Sequence, residues 1–212
     1  MNWIDKLMTT QAREPSGFFG QWVLPKIFDL SNLDQDKTTL QLLDIKDNLK
    51  LLDVGCGTGH LLQTLSTSVN SIDMTGIDNS KVMVSVAQKR HADSIRSGRV
   101  SIRKASWVNL EFADNTFDRI NASNVVYFWE RPLDILNNLY RITKKGGLIV
   151  ISLRVDDSLD PRIMKQFGYS LYDDQSLSSL MINSKFTNIQ LTDKIARNRN
   201  KTWRLLWITA SK

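Results

Sequence analysis

Leu51-Leu52-Asp53-Val54-Gly55-Cys56-Gly57-Thr58-Gly59-His60 joins an apolar run to a glycine-rich turn. It reads as a buried strand, a tight turn and the start of a helix. Glycine has no Cβ, so it tolerates φ > 0 and lets a ligand approach the backbone closely. A second strand-like segment, Ser71 to Ser80, carries an acid at its end, Asp78, 19 residues after Gly59. That is close to the ~20-residue spacing of an acid that accepts hydrogen bonds from ribose hydroxyls. Turn and acid together point to a site for an adenosine-type cofactor. The glycines at 55, 57 and 59, with His60 next, give G-x-G-x-G and lack the third glycine of the dinucleotide pattern G-x-G-x-x-G. Asp53 suits an ammonium or a backbone donor and would repel a phosphate. The spacing therefore favours S-adenosylmethionine over a dinucleotide. The plainer alternative is a strand, an Asx turn and a helix capped by Ser80; the distance to Asp78 weighs against it.

The chain that must position these residues has 212 of them, suited to one α/β domain. Hydrophobic residues make up 42% and charged residues 24%, the balance of an ordinary globular protein. No apolar run approaches the ~20 residues needed to cross a bilayer, so no membrane insertion is expected. The first residues, Met1 to Lys6, lack a secretory pattern. The single Cys56 cannot form an internal disulfide, which makes a cytoplasmic location the expectation. His60 and His91 stand apart from any metal-ligand spacing, so no metal is expected. The net charge of +6 is uneven: residues 193–212 carry six basic side chains against Asp193, whereas the first 48 carry five basic and seven acidic. A basic tail can meet an anionic partner. It can equally be a solvated hairpin between edge strands whose Lys and Arg discourage edge pairing, the reading favoured here.

Strand and helix signals alternate after Asn48. Strands are expected over 49–54, 72–77, 100–104, 117–122, 148–153, 186–192 and 203–210. Helices are expected over 58–66, 80–96, 132–142 and 174–184, with Gly146-Gly147 closing the third of these. Before them lie a short helix over 1–10, a break at Glu14-Pro15-Ser16-Gly17, an aromatic-rich helix over 18–30 interrupted by Pro25, and a helix over 33–45. The β-α-β alternation implies a doubly wound parallel sheet with ligands at the carboxyl ends of its central strands. Gly55, Asp78, Ser106 and residues 121–124 fall there.

Three segments carry a family resemblance: residues 51–59, residues 109–118 (Asn-Leu-Glu-Phe-Ala-Asp-Asn-Thr-Phe-Asp) and residues 139–148 (Leu-Tyr-Arg-Ile-Thr-Lys-Lys-Gly-Gly-Leu). They resemble class I S-adenosylmethionine-dependent methyltransferases, most of all the small-molecule branch that includes ubiquinone/menaquinone-biosynthesis-type domains. Residues 15–20 are similar to a leader seen before such domains. The resemblance implies a Rossmann-like α/β sheet of about seven strands, mostly parallel with the last antiparallel, and helices on both faces. It divides the chain into a helical N-terminal extension or lid (1–47) and a cofactor-binding methyltransferase domain (48–212). It implies that Gly55, Gly57 and Gly59 line the methionine part of the cofactor, with Asp53 near its amino group. Asp78 would take the ribose, and Asn79 and Met83 would flank the adenine. Cys56 and Asn121 join the same cofactor set. Where the family has an Asp after the third strand this chain has Ser106, followed by Trp107, so adenine recognition leans on Trp107 stacking.

Methyl transfer from a sulfonium is an in-line displacement, in which the protein supplies alignment and a dry site. No obvious base is legible in the sequence. Residues 121–130 (Asn-Ala-Ser-Asn-Val-Val-Tyr-Phe-Trp-Glu) lack the Asn-Pro-Pro-Tyr/Phe pattern that holds a target nitrogen in many amino-group methylating enzymes, which argues against a nucleic-acid base as target. Asn124 and Tyr127 are the candidate catalytic residues, Tyr127 as a base. Tyr127, Phe128 and Trp129 are the candidate walls of an acceptor site, since aromatic faces hold flat rings and cations. Glu14, Phe18 and Phe19 are candidates for a lid over the cofactor, with Phe18, Phe19, Phe128 and Trp129 forming the candidate substrate-binding set. The expected function is methyl transfer to a small-molecule acceptor. The alternatives are a nucleic-acid methyltransferase using the basic C-terminal hairpin and a cofactor-binding module without turnover.

Overall fold

In β1 (Leu49–Val54) the last four side chains are all buried, as a strand covered on both faces requires. The computed structural model describes residues 23–69, 71–155, 161–198 and 201–212. The expectations for residues 1–22, including Glu14, Phe18 and Phe19, lie outside these. β1 pairs in parallel with β2 (Ile72–Asp78) and with β4 (Phe117–Ser123). β2 pairs in parallel with β3 (Val100–Lys104), and β4 with β5 (Thr143–Val155). β7 (Lys201–Ser211) runs antiparallel to both β5 and β6 (Thr187–Asn198). The resulting seven-stranded sheet has the order β3-β2-β1-β4-β5-β7-β6, as the α/β reading requires. The order reverses between β1 and β4, which opens a crevice at their carboxyl ends.

The two faces of the sheet are covered separately. Consecutive side chains of a strand point to opposite faces, and Leu51 and Leu52 accordingly enter different cores. Leu51 packs with α1 (Leu24–Leu43), α2 (His60–Ser68) and α3 (Lys81–Arg90), through Leu43, Leu62 and Val84. Leu52 packs with α5 (Pro132–Ile142) and α7 (Asp174–Ile182), through Leu136, Leu139 and Leu177. Two short helices complete the described elements, α4 (Ala92–Arg96) and α6 (Pro161–Gln166), with a 3₁₀ turn over Val126–Phe128.

The structure corrects several boundaries. The two helices expected over 18–30 and 33–45 are one helix over their described part, α1, because Pro25 sits in its first turn, where a missing N–H costs nothing. The helix expected over 80–96 breaks at His91, whose ring Nε2 lies 2.9 Å from the carbonyl of Gly59 and ties α3 to the glycine turn. Gly146-Gly147 does not close α5, which ends at Ile142 with Thr143 already extended. Instead residues 144–147 bulge out of β5 between its pairings to Phe117 and Arg119, and Gly146 takes φ +75° there. The basic hairpin is longer than expected, and of its two strands only β6 is an edge strand, since β7 lies inside the sheet. Three of its basic side chains have partners within the chain: Lys194 donates to Thr38 Oγ1, Arg204 pairs with Asp174, and Lys212 donates to Asn115 and to the Tyr140 carbonyl.

α1 is the least ordinary helix. Gln35, Asp36, Thr38 and Thr39 are buried, while Ile27, Leu30 and Leu33 point outward, with Leu30 73% exposed. A surface helix normally turns its apolar stripe inward; much of this one faces in with polar side chains. Its C-terminal half is held by hydrogen bonds. Trp207 Nε1 donates to Thr39 Oγ1 at 2.9 Å, and Arg119 Nε donates to the Leu43 carbonyl at 2.6 Å. Both Thr39 and Trp207 are fully buried. Thr39→Val keeps the shape but orphans the indole N–H, so it should cost about 1–3 kcal/mol in urea unfolding. Combined with Trp207→Phe, it should cost clearly less than the two single changes added together, because the second change removes the orphaned donor.

Candidate functional site

The glycine turn is built by backbone geometry that side chains would obstruct. Gly55 and Gly57 have φ of +73° and +53°, in the left-handed region. The Gly55 and Cys56 N–H groups both donate to the Ile77 carbonyl, at 2.8 and 2.9 Å, which ties the turn to the end of β2. A Cβ on Gly55 would stand 2.2 Å from Val125 Cγ1, whereas one on Gly57 would meet no atom of the described residues within 4 Å. The open side of Gly57 faces a cavity of about 250 Å³ at the carboxyl ends of β1, β2 and β4.

Two carboxylates stand on either side of this turn. Asp78 ends β2; its Oδ2 accepts from the Gly57 N–H at 2.9 Å and its Oδ1 from the Ser80 N–H at 2.7 Å. Each oxygen keeps a lone pair for a further donor. Ser80 Oγ then accepts from Met83 N and caps α3. Burial raises the Asp78 carboxyl, opposed by those two backbone N–H groups. Asp53, in register with Asn121 on β4, accepts from Asn121 Nδ2 at 2.7 Å. Burial pushes Asp53 up to about 7, helped by the nearby charges of Asp36 and Asp78 and opposed by Asn121. Burial also pushes the Cys56 thiol well up.

Helix α1 closes the cavity from the other side. Asp29 accepts from Thr58 Oγ1 at 2.5 Å and pairs with Arg90 at 2.5 Å, while Arg90 also donates to the Thr58 carbonyl at 3.1 Å. Asp36 Oδ2 lies 2.7 Å from His60 Nδ1. Gln35 donates to Ser152 Oγ at 2.9 Å and accepts from Asn124 Nδ2 at 2.8 Å. Ser152 Oγ meets Ser123 Oγ at 2.8 Å, and Ser123 donates to Asn121 at 3.0 Å. A continuous polar chain thus runs from Asp53 through Asn121, Ser123 and Ser152 to Gln35 of α1.

Most of the residues singled out from sequence meet at this cavity. Asp53, Gly55, Cys56, Gly57, Asp78, Asn79, Met83, Trp107, Asn121, Asn124, Tyr127 and Phe128 all line it. Three do not. Gly59 is turned toward His91, whose ring a Cβ there would meet at 2.9 Å. Ser106 is exposed and its Oγ accepts from the Val108 N–H at 3.2 Å, stabilising its own loop. Trp129 is 1% exposed and belongs to the core shared by Leu136 and Leu139, so it forms no acceptor wall. Asn124 reaches the cavity, but its side chain is engaged. It takes φ +55°, donates to Gln35, and accepts from the Arg154 N–H at 3.2 Å. That makes it an anchor for α1. Tyr127 stacks on Tyr169 at 5.3 Å, and Phe128 lies 4.7 Å from the same ring. Burial pushes the Tyr127 phenol far above its ordinary value, with Arg154 opposing, so its anionic form is strongly disfavoured.

Asp29, Asn32, Asp36, His60 and Arg154 are among the further residues that line the cavity. The signal for the first three was present: positions 29, 32 and 36 recur at the i, i+3, i+7 spacing of one helical face.

A doubly wound sheet of this order, with a glycine turn after β1 and a carboxylate ending β2, defines the class I S-adenosylmethionine-dependent methyltransferase fold. The chain belongs to the methyltransferase-domain family, whose model matches residues 45–199. It is 28% identical over 167 residues to phosphoethanolamine N-methyltransferase 3 of Arabidopsis thaliana, covering 76% of this chain and 34% of that protein. It is 25% identical over 185 residues to an O-methyltransferase of Aspergillus nomiae, covering 82% of this chain and 81% of the relative. It is 33% identical over 105 residues to a ubiquinone/menaquinone biosynthesis C-methyltransferase of Geotalea daltonii, covering 49% and 45%. Among solved structures it is similar to phosphoethanolamine N-methyltransferase 2 of Haemonchus contortus in complex with phosphomonomethylethanolamine and S-adenosylhomocysteine. The TM-score is 0.77 at 15% identity, over 96% of this chain and 59% of that one. The chain spans about a third of the length of the first curated relatives it matches.

The donor set fits S-adenosylmethionine. Among the described residues the hydrogen-bond partners of Asp53 and Asp78 are neutral groups, so two carboxylates without a cationic partner there face the cavity, where an ammonium and a sugar diol would satisfy them. Asp53 gives a pH signature. Its carboxyl binds protons up to about pH 7 in the folded chain and only to about pH 4 when unfolded. The folded state therefore holds the extra proton between these values, and stability falls as pH rises from about 4 to 7. Asp53→Asn removes this term. In urea unfolding the variant should gain stability relative to wild type as pH increases across that window, and a difference unchanged between pH 5 and pH 8 would contradict the assignment.

Proposed function

We propose that this chain transfers the methyl group of S-adenosylmethionine to a small-molecule acceptor. The observation that carries this reading is the pair of carboxylates, buried Asp53 and half-buried Asp78, flanking an open glycine turn in one cavity. When bound, S-adenosylmethionine supplies an electrophilic methyl group on a sulfonium. In this reading Asp78 accepts hydrogen bonds from the ribose hydroxyls, and Asp53 in its ionised form holds the amino group. Asn79, Met83 and Trp107 bound the base, and Gly55, Cys56, Gly57 and Asn121 form the floor under the methionine part. Residues 24–43 act as a lid that keeps water from the transfer. Phe18 and Phe19, given the same task from sequence, lie outside the described residues.

Catalysis in this scheme is positioning more than proton transfer. Tyr127 and Phe128, braced by Tyr169, form the acceptor wall. Tyr127 serves as a surface and not as a base, because its burial opposes the phenolate. The relatives methylate nitrogen, oxygen and carbon by their names, so the acceptor atom follows from none of them. The pairing of Lys194, Arg204 and Lys212 within the chain removes much of the support for a nucleic-acid target.

Calorimetric titration with S-adenosylhomocysteine tests the cofactor half. Asp78→Ala removes two charge-assisted contacts and should weaken binding by about 100-fold; wild-type-like affinity in the variant would overturn the assignment. Methylation assays on an acceptor panel test the other half. Tyr127→Phe should stay within about threefold of wild type, whereas loss of a true general base costs ~100-fold or more.

A further inference from the structure

The end of α3 takes hold of the glycine turn with two consecutive side chains. Arg90 Nη1 donates to the Thr58 carbonyl at 3.1 Å, and His91 Nε2 donates to the Gly59 carbonyl at 2.9 Å. A carbonyl only accepts, so Nε2 carries the hydrogen. The Gly59 carbonyl also accepts from the Gln63 N–H at 3.0 Å, the first bond of α2. His91 is 3% exposed, and its ring and the Ala87 side chain close on Gly59 so tightly that no side chain fits there. Gly59 thus faces α3, while its neighbours Gly57, Thr58 and His60 line the cavity. The other end of α3 is tied to the second carboxylate. Its cap, Ser80, donates its N–H to Asp78 and accepts from the Met83 N–H. A helix of 10 residues, about 15 Å long at ~1.5 Å per residue, therefore links the Asp78 end of the cavity to the carbonyls of the turn. In a trans peptide the C=O and the following N–H point in opposite directions. Holding the Thr58 and Gly59 carbonyls against α3 therefore sets where the Gly59 and His60 N–H groups point, and with them the shape of the turn.

We propose that His91, together with Arg90, is a positioning residue for the amino acid end of the cofactor. It holds the glycine turn in its receiving shape before the cofactor arrives, and it fixes that turn relative to the adenosine contacts at the start of α3. Neither Arg90 nor His91 lines the cavity, so the effect passes through the Thr58 and Gly59 peptides. A site ordered in advance binds more tightly because the ordering cost is not charged to the ligand. The adenosine half leans on Asp78 and Met83 and does not need the His91 contact; the amino acid half, laid on the turn, does. The inference rests on reading the cavity as a site for S-adenosylmethionine.

The test titrates S-adenosylhomocysteine and methylthioadenosine into wild type, His91→Phe and His91→Gln. Both ligands carry the adenosine and a sulfur; only the first carries the amino acid end. Wild type should bind S-adenosylhomocysteine about tenfold or more tighter than methylthioadenosine. His91→Phe keeps a flat ring and removes the donor. It should weaken S-adenosylhomocysteine about tenfold and leave methylthioadenosine within about twofold. His91→Gln, whose amide nitrogen can reach the same carbonyl, should restore most of that loss. Equal weakening of both ligands in His91→Phe would reduce the residue to general support of the fold and overturn the inference. Unchanged S-adenosylhomocysteine affinity in His91→Phe, or a Gln variant no better than the Phe variant, would overturn it too. Should His91→Phe fail to fold, Arg90→Gln, which frees the Thr58 carbonyl, decides by the same ratio of the two affinities. Wild type that binds the two ligands equally overturns this inference alone. Wild type that binds neither overturns the proposed function, and this inference with it.

Discussion

A carboxylate with no cation beside it among the described residues sits at the centre of this protein. Asp53 is 3% exposed and its hydrogen bond comes from a neutral amide, Asn121. Burying a charge in that way is expensive. The surrounding structure is arranged to make the position tolerable: β1 and β4 are in register at this pair, and the polar chain onward to Ser123, Ser152 and Gln35 gives successive groups partners. The same chain explains why α1 turns polar side chains inward. Its buried Gln35 and Asp36 finish hydrogen bonds that begin in the sheet and the glycine turn, and apolar side chains there would leave those groups orphaned.

Stability and site are therefore not separate problems here. The glycine turn is fastened on three sides: by the Ile77 carbonyl, by Asp78, and by the Asp29–Thr58–Arg90 cluster from α1 and α3. Each fastening also shapes the cavity. Asp53 and Asp78 line one part of it, and Tyr127 and Phe128, packed on Tyr169, line another. The shared methyltransferase frame fixes the first of these parts. The second comes from the residues that follow β4.

The methyltransferase-domain assignment and the geometry are complementary. Family membership rests on residues 45–199, which begin after α1 ends. What α1 contributes, a polar face over the site, comes from the tertiary structure of this chain. Asn124, which lines the cavity, is tied to the same helix, because Gln35 of α1 engages its amide. Trp129 and Ser106 were misplaced for a simpler reason. Both stand within a few residues of true cavity positions, and a 3₁₀ turn at Val126–Phe128 or one bend of a loop decides which side chain points in.

The sequence by itself determined what local chemistry can encode. Apolar runs and their alternation with helical spans specified the seven strands and their connections. The G-x-G-x-G turn with an acid 19 residues on specified the cofactor end, because both depend on backbone constraints confined to one strand–turn–helix unit. Only the tertiary structure decided what depends on distant parts of the chain meeting. The insertion of β7 between β5 and β6 brings Trp203 under Arg154. The packing of residues 24–43 brings Asp36 to His60 across 24 positions and Gln35 to Ser152 across 117. Hydrogen bonds of that reach leave no periodic trace in a sequence, since each partner looks like an ordinary surface polar residue until the fold removes it from water.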